Sequence, residues 1–301
     1  LDFQNLVGNE KIKQELQKAI RENKIVNSYL WVGTKGIGKS AFAKAFAKRL
    51  LCQTGEENCT CNSCVKFASA NHPDFLTIQP DGKGIKIEQI RAMQEKVYEK
   101  PILGERKVYI IEDAETMRSE AQNCLLKTLE EPPSYAVIIL LTSNESALLL
   151  TIKSRCLKIP FEKIPDEILQ NYLLQNGFSK VTEEMLRLYD GSIGKALELR
   201  EKQEEYDGMV TIVGQLEHAS QLDYIKQTEI FSKNKEDIQE LLAYLIVLLY
   251  QKMKEDLRYR KVIEIVEQAK IRLNRNANFD MTIDQMLLKM WEEMNEKHHR
   301  S

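Results

Sequence analysis

A short β-rich run, SYLWVG (28–33), passes through the turn TKGIGKS directly into a helical stretch, AFAKAFAKRLL. Strand, glycine-rich loop and helix in immediate succession are the setting of a phosphate loop, and the spacing Gly33-x4-Gly38-Lys39-Ser40 supplies its chemistry. The glycines let backbone N–H groups curl around phosphate oxygens. Lys39 brings a cation to the terminal phosphates, Ser40 can hold Mg2+, and the helix N-terminus adds the positive end of its dipole. The segment Gly33, Thr34, Lys35, Gly36, Ile37, Gly38, Lys39 and Ser40 is therefore the predicted nucleotide-binding loop, with ATP or ADP and Mg2+ as its ligand.

The rest of the first half fits that beginning. Strand-like runs recur at SYLWVG, DFLTIQ (74–79), KVYIIE (107–112), AVIILLTS (136–143) and CLKIPF (156–161), alternating with amphipathic helical stretches. This pattern predicts an α/β fold, one parallel sheet covered by helices on both faces. After Pro160 the strand signals stop. A helical segment runs from Pro165 to about Arg200, punctuated by Gly177 and Gly191, and from about Glu204 the chain reads as all helical. Three consecutive domains are expected: 1–161, 162–203 and 204–301. A last helix is expected to open at Thr282, where Thr282 and Gln285 have capping-box spacing.

With 301 residues, of which 43% are hydrophobic, the chain can bury a large core. No apolar run approaches the ~18 residues that span a bilayer, and LDFQNLVGNE lacks the basic start and apolar core of a signal peptide, so the cytoplasm is the expected compartment. A formal net charge of -2 provides no general field for gripping nucleic acid; any contact with DNA has to be local.

Four of the six cysteines fall together in CQTGEENCTCNSC, as Cys52-x6-Cys59-x-Cys61-x2-Cys64. Four thiolates this close, in a chain with no export signal, fit a tetrahedral structural Zn2+ site; the alternatives are disulfides, disfavoured in a reducing compartment, or reduced unliganded thiols. Four thiolate ligands leave no open position for water, so the expected role is structural. Cys124 is expected to be a buried apolar filler, His72 a structural residue, and His298 and His299 a solvated tail.

The phosphate loop, the cysteine knuckle, KVYIIEDAETM (107–117), AQNCLLKTLEEPP (121–133), TIKSRC (151–156) and GSIGKAL (191–197), in this order, resemble the AAA+ subunits of the bacterial DNA polymerase III sliding-clamp loader. The resemblance is strong over the first two hundred residues and continues more weakly into RLNRNANFDMTIDQMLLKM, which looks like the end of the family's collar. It implies an AAA+ core (1–161), a small helical lid (162–203) and an oligomerising collar (204–301). It also implies a hetero-pentamer with gamma/tau-like and delta-like subunits that opens the sliding clamp and places it on primer-template DNA.

The family's motor subunits carry Asp-Glu after the apolar strand, the Asp organising Mg2+ and the Glu polarising water. Here the matching positions are Glu112 and Asp113, in reversed order. Each exchange moves a carboxylate by ~1.5 Å, and misplacing a catalytic group by ~1 Å costs about a hundredfold in rate; binding can survive where hydrolysis suffers. The lid arginine of the motors is matched by Gly194, and the neighbouring Lys195 points about 100° away around a helix. Thr142 or Ser143 remains as a polar contact near the phosphates, while Glu115 reads as an ordinary solvated or capping carboxylate. Ser154-Arg155-Cys156, in contrast, matches the family's SRC motif, whose arginine reaches the nucleotide of a neighbouring subunit. The resemblance thus implies a subunit with weak hydrolysis of its own that donates Arg155 in trans. The alternative is a gamma/tau-like motor that hydrolyses its own ATP.

Overall fold

The alternation of side chains along each strand decides the architecture of the first half. In β1 (Ser28–Val32) Tyr29 and Trp31 face one side and Leu30 the other; in β3 (Lys107–Ile111) Val108 and Ile110 oppose Tyr109 and Ile111. β4 (Ala136–Thr142) divides in the same way, with Val137, Ile139 and Leu141 against Ala136, Ile138 and Leu140. Strands apolar on both faces must be covered on both faces. With β2 (Phe75–Ile78) and β5 (Leu157–Pro160) they form one parallel sheet in the order β2-β3-β4-β1-β5. All five strands fall within the runs expected from the sequence, and their parallel pairing confirms the α/β class.

The computed structural model describes residues 3–56, 59–82, 84–178, 181–201 and 203–295; the expected tail histidines His298 and His299 lie outside them. The chain divides into two compact units, Leu1–Lys195 and Ala196–Ser301. In the first, α1 (Glu10–Arg21) and α2 (Lys39–Leu51) cover one face of the sheet. On α2, Ala43, Ala45 and Ala47 bring the helix close, while Phe42 and Phe46 fill the gaps. Phe46 meets Tyr29 edge-on at 5.6 Å between ring centres. A short α3 (Asn62–Ala68) follows α2. The other face is covered by α4 (Ile87–Val97) through Ile90, Met93 and Val97, by α5 (Ser119–Glu130) through Ala121, Leu125 and Leu129, and by Ile152 of α6 (Leu150–Lys153). Beyond β5 come α7 (Asp166–Gln175) and α8 (Glu183–Tyr189), and then α9 (Ile193–Glu201), which starts in this unit and continues into the second.

The second unit is built from α10 (Gln203–Gln215), α11 (Gln221–Ile225), α12 (Thr228–Lys233), α13 (Ile238–Met253), α14 (Tyr259–Asn274) and α15 (Phe279–Asn295). Its core follows helical spacing: Leu241, Leu245 and Leu249 on α13, Val262, Val266 and Ala269 on α14, and Ile283, Leu287, Met290 and Met294 on α15. No helix among the described residues is long and apolar enough to cross a membrane.

The start of α15 corrects one expectation. The helix opens at Phe279, and Thr282 lies inside it, buried, with its hydroxyl donating 2.7 Å to the Asn278 carbonyl. Asn278 does the capping: its side-chain oxygen accepts the Met281 N–H at 3.0 Å. Starting there lets Phe279 pack on the core, with the Lys235 ammonium 4.6 Å over its ring. Gln285, instead of reaching back to a cap, accepts a hydrogen bond from Arg272.

Candidate functional site

The phosphate loop leaves the C-terminal end of β1, which lies between β4 and β5 in the sheet, and runs into α2. Gly36 and Gly38 take φ of 75° and 106°, a region that side chains with a Cβ rarely enter, so the loop's curl depends on glycine at both positions. Lys39 is buried and its ammonium donates to the Gly33 and Thr34 carbonyls at 2.6 and 3.0 Å. Desolvation lowers its pKa, against the carboxylates of Glu115 and Asp113, which raise it. Among the described residues the N–H groups of Gly36 and Gly38 meet no backbone acceptor. With Lys39, they are donors suited to an anion at the opening of a helix.

The acids come from the end of β3. Glu112 is spoken for on every side. Its Oε1 accepts the Ser40 hydroxyl at 2.5 Å, its Oε2 accepts from Gln79 at 2.8 Å, and the Lys44 ammonium is 3.5 Å away. Burial pushes its pKa up, but these three donors outweigh that and hold it below the ordinary carboxylate value. Asp113 sits in a left-handed turn at φ 47° and is exposed; burial first, then the nearby Glu115 and Glu112 charges, raise its pKa. Ser40 and Glu112 together are a reasonable oxygen donor set for Mg2+. Thr142 is fully buried at the end of β4, its hydroxyl accepting the Asn144 N–H at 3.1 Å and its carbonyl accepting the Gly33 N–H at 3.1 Å.

Of the two forms expected for Glu115, solvated or capping, the structure has the second: its carboxylate caps a backbone N–H. It is half-buried and its Oε1 accepts both the N–H of Ser143, at 3.0 Å, and the Ser143 hydroxyl. Desolvation raises its pKa; the bonds from Ser143 more than reverse this. It lies at the junction of β3 and β4, where its charge raises the Lys39 pKa. Gln79 and Lys44 also belong to the site, although no motif in the sequence singles them out. Lys44 sits four residues after Ser40, one helical turn on, and that spacing was a usable signal. Gln79 follows β2, and only the pairing of Ile78 with Ile111 brings it beside Glu112.

Arg155 lies in the turn between α6 and β5. Its guanidinium donates to the Thr151 carbonyl at 2.9 Å and pairs with Glu130 at 2.6 Å; the further contact, to the Ser154 hydroxyl, is 3.4 Å. None of these partners belongs to the phosphate loop. The side chain of Arg155 is one-third exposed and that of Glu130 half-exposed, and a pair of that kind is worth only about 0–1 kcal/mol. The arginine is held in shape without being locked.

The four cysteines converge as the spacing predicts. Cys52 caps α2, Cys61 opens α3, Cys64 lies within it, and the four sulfurs are all within 4.8 Å of one another. A tetrahedron with metal–sulfur bonds of about 2.3 Å needs sulfurs about 3.8 Å apart, so only a small contraction closes the site. Desolvation pushes the Cys61 thiol up, but the N–H groups of Cys64 and Gln53 win and bring it down to about 6; Cys64 is driven up by desolvation and by its neighbours Cys52 and Cys61. Four sulfurs this close cannot all be anionic without a cation among them. The donor set fits a divalent, thiolate-binding metal. Cys124, in contrast to the expected apolar filler, is only half-buried and donates its thiol to Gln94 at 3.0 Å.

His72 anchors the knuckle. Its Nδ1 accepts the Asp74 N–H at 3.1 Å, so in the neutral ring the proton is on Nε2, facing the Ser63 hydroxyl at 2.7 Å, which in turn donates 2.6 Å to the Leu51 carbonyl. Because that hydroxyl proton points at a carbonyl, Ser63 and His72 are no nucleophile-base pair. The Asp74 carboxylate closes the network by accepting the N–H groups of Ile102 and Leu103, each at 2.8 Å. Desolvation lowers the His72 pKa below 6.5, against the field of Asp74, which raises it. A depressed folded value means that the neutral ring is favoured on folding: its contribution is complete above the unfolded value and lost as pH falls through the folded one. The imidazole resonance of His72 is expected to titrate with a midpoint under 6.5; a midpoint at or above that, followed by NMR, contradicts the network.

Comparison with known proteins places the chain. A family model described as DNA polymerase III, delta subunit, matches residues 8–165. The chain belongs to this family. The DNA polymerase III delta-subunit match takes in the phosphate loop, the cysteine knuckle, the Glu112-Asp113 pair and the Arg155 turn. Among curated proteins the chain is 33% identical over 205 residues to DNA polymerase III subunit delta' of Bacillus subtilis, covering 67% of this chain and 62% of that one. It is 34% identical over 173 residues to subunit tau/gamma of Haemophilus influenzae, covering 57% of this chain and 25% of that one. The chain thus spans less than two-thirds of the length of these relatives. A crystal structure of a gamma subunit-related protein from Thermotoga maritima shares the fold, with a TM-score of 0.52 at 22% identity over 93% of this chain and 99% of that one.

Proposed function

We propose that this chain is a delta-prime-like subunit of a bacterial sliding-clamp loader, which lends Arg155 to the ATP of a neighbouring subunit and hydrolyses little or none itself. The observation that carries the reading is the setting of Arg155. Its guanidinium is ordered by Glu130 and Thr151, outside its own phosphate loop, and is exposed enough to reach another chain. A guanidinium is permanently charged and bonds phosphate bidentately, as such a role requires. The pocket supports the other half. Glu112 is a methylene longer than an aspartate and already holds Ser40, Gln79 and Lys44, while Asp113, shorter than a glutamate, stands exposed in a left-handed turn.

In this reading residues 1–161 are the nucleotide-binding core, 162–203 the lid and 204–301 the collar that docks into a hetero-pentamer with gamma/tau-like and delta-like subunits, in the cytoplasm. The assembly opens the sliding clamp and sets it on primer-template DNA. Residues 33–40 bind ATP or ADP, with Ser40 and Glu112 toward Mg2+ and Thr142 supporting the loop from β4. Zn2+ sits among Cys52, Cys59, Cys61 and Cys64.

The isolated chain is expected to bind a labelled adenine nucleotide with Mg2+ but to turn it over far more slowly than ~1 per second, the lower end of ordinary enzyme rates. Turnover at or above that rate favours the gamma/tau-like motor instead. No binding at millimolar nucleotide removes the nucleotide from the reading and leaves Arg155 to carry it.

A further inference from the structure

Four successive carbonyls of the phosphate loop are each taken by a donor. Lys39 holds those of Gly33 and Thr34 at 2.6 and 3.0 Å. The next two are held from the segment that opens α9: the Ser192 hydroxyl donates to the Lys35 carbonyl at 3.2 Å, and the Gly194 N–H donates to the Gly36 carbonyl at 2.9 Å. Ser192 is buried, and its oxygen also accepts the Lys195 N–H at 3.1 Å, which fixes its direction.

The approach is so close that it admits only glycine. A Cβ on Gly194 would lie 2.6 Å from the Gly36 Cα and 2.9 Å from its oxygen; one on Gly36 would lie 2.6 Å from the Ser192 hydroxyl and 2.9 Å from the Lys195 nitrogen. Gly194 is therefore more than a position without a side chain. It is what allows two backbones to touch.

We propose that this glycine-to-glycine clasp gates nucleotide exchange: the Gly194 N–H and Ser192 hydroxyl must release the loop before a nucleotide enters or leaves. The proposal rests on the reading of residues 33–40 as a nucleotide site. For a phosphate to draw the Lys39 ammonium, the ammonium has to turn away from Gly33 and Thr34. The next two carbonyls are pinned from outside, so the loop rearranges only when the segment at 192–194 lets go. Any side chain at 194 forces the two backbones apart and props the gate open.

The test is stopped-flow mixing of the full chain with N-methylanthraniloyl-ADP and Mg2+. Two neutral hydrogen bonds correspond to about tenfold or more in an opening equilibrium, so Gly194→Ala should speed both association and release about tenfold or more. Ser192→Ala, which removes one of the two bonds to the loop, together with the bond accepted from the Lys195 N–H, without steric conflict, should do so by a smaller factor. Tight binding with unchanged rates in both variants overturns the gate and leaves the nucleotide site standing. Hydrogen exchange of the amide at position 194 in the nucleotide-free chain gives a second readout. Protection in the wild type that is lost in Ser192→Ala supports the clasp, and an amide equally fast in both overturns it. If no form binds the nucleotide although the amide is protected, the nucleotide reading of the loop fails, and the gate with it.

Discussion

Arg155→Ala is expected to leave the isolated chain folded, with its own nucleotide binding nearly unchanged, and to cripple hydrolysis at one neighbouring site once the loader is assembled. Removing the side chain frees Glu130, but that carboxylate is half-exposed and returns to water at little cost. The functional loss is much larger, because an arginine finger contributes roughly 10^3 to 10^5 in turnover at the site it serves. A ring with several working sites dilutes the effect. The measurement is therefore the ATPase of a reconstituted loader in which the other motor sites are disabled. Arg155→Lys should restore little, since lysine keeps the charge and loses the planar fork. Wild-type hydrolysis with Arg155→Ala in that background would make this arginine a surface charge paired with Glu130 and nothing more.

The second large effect concerns the knuckle. The chain should retain one Zn2+ after dialysis, and Cys64→Ser or a strong chelator should remove it. Structural zinc contributes about 10–16 kcal/mol of apparent binding energy in small zinc-dependent peptides at neutral pH. In this chain the sheet has its own two-sided core, so the damage should be local: amides of 59–68 exchange rapidly, while those of β3 and β4 stay protected. Affinity should rise with pH, because the thiols must lose their protons to bind. Cys61 is prepared for this at about 6, whereas the Cys64 proton has to be displaced by the metal. A metal-free protein whose four thiols react freely would remove the site.

How much of this was legible beforehand differs from element to element. The five strands were readable because each carries its own apolar run, and the phosphate loop because glycine spacing, strand and helix are contiguous. The four cysteines were readable because their spacing lies within one short excursion. Gly194 could be singled out as well, as the position where the resemblance implies an arginine, although not its contact with Gly36.

What the chain order could not reveal is which distant groups meet. Glu115 reads in the sequence as a solvated or capping acid, and only β4 supplies the group it caps, Ser143, 28 residues on; Arg155 acquires Glu130 from 25 residues upstream. Thr282 had the right spacing for a cap, but packing of Phe279 moved the helix start to Asn278. Ser192 reaches the Lys35 carbonyl across 157 positions. Local periodicity and motif spacing arise from interactions a few residues apart, and the sequence alone determined those: the strands, the loop's glycines and the clustering of the four thiols. Hydrogen bonds between remote side chains depend on how sheet and helices close on one another, and only the tertiary structure decided that Glu112 is tied down, that Arg155 is held outside its own pocket, and that two glycines touch.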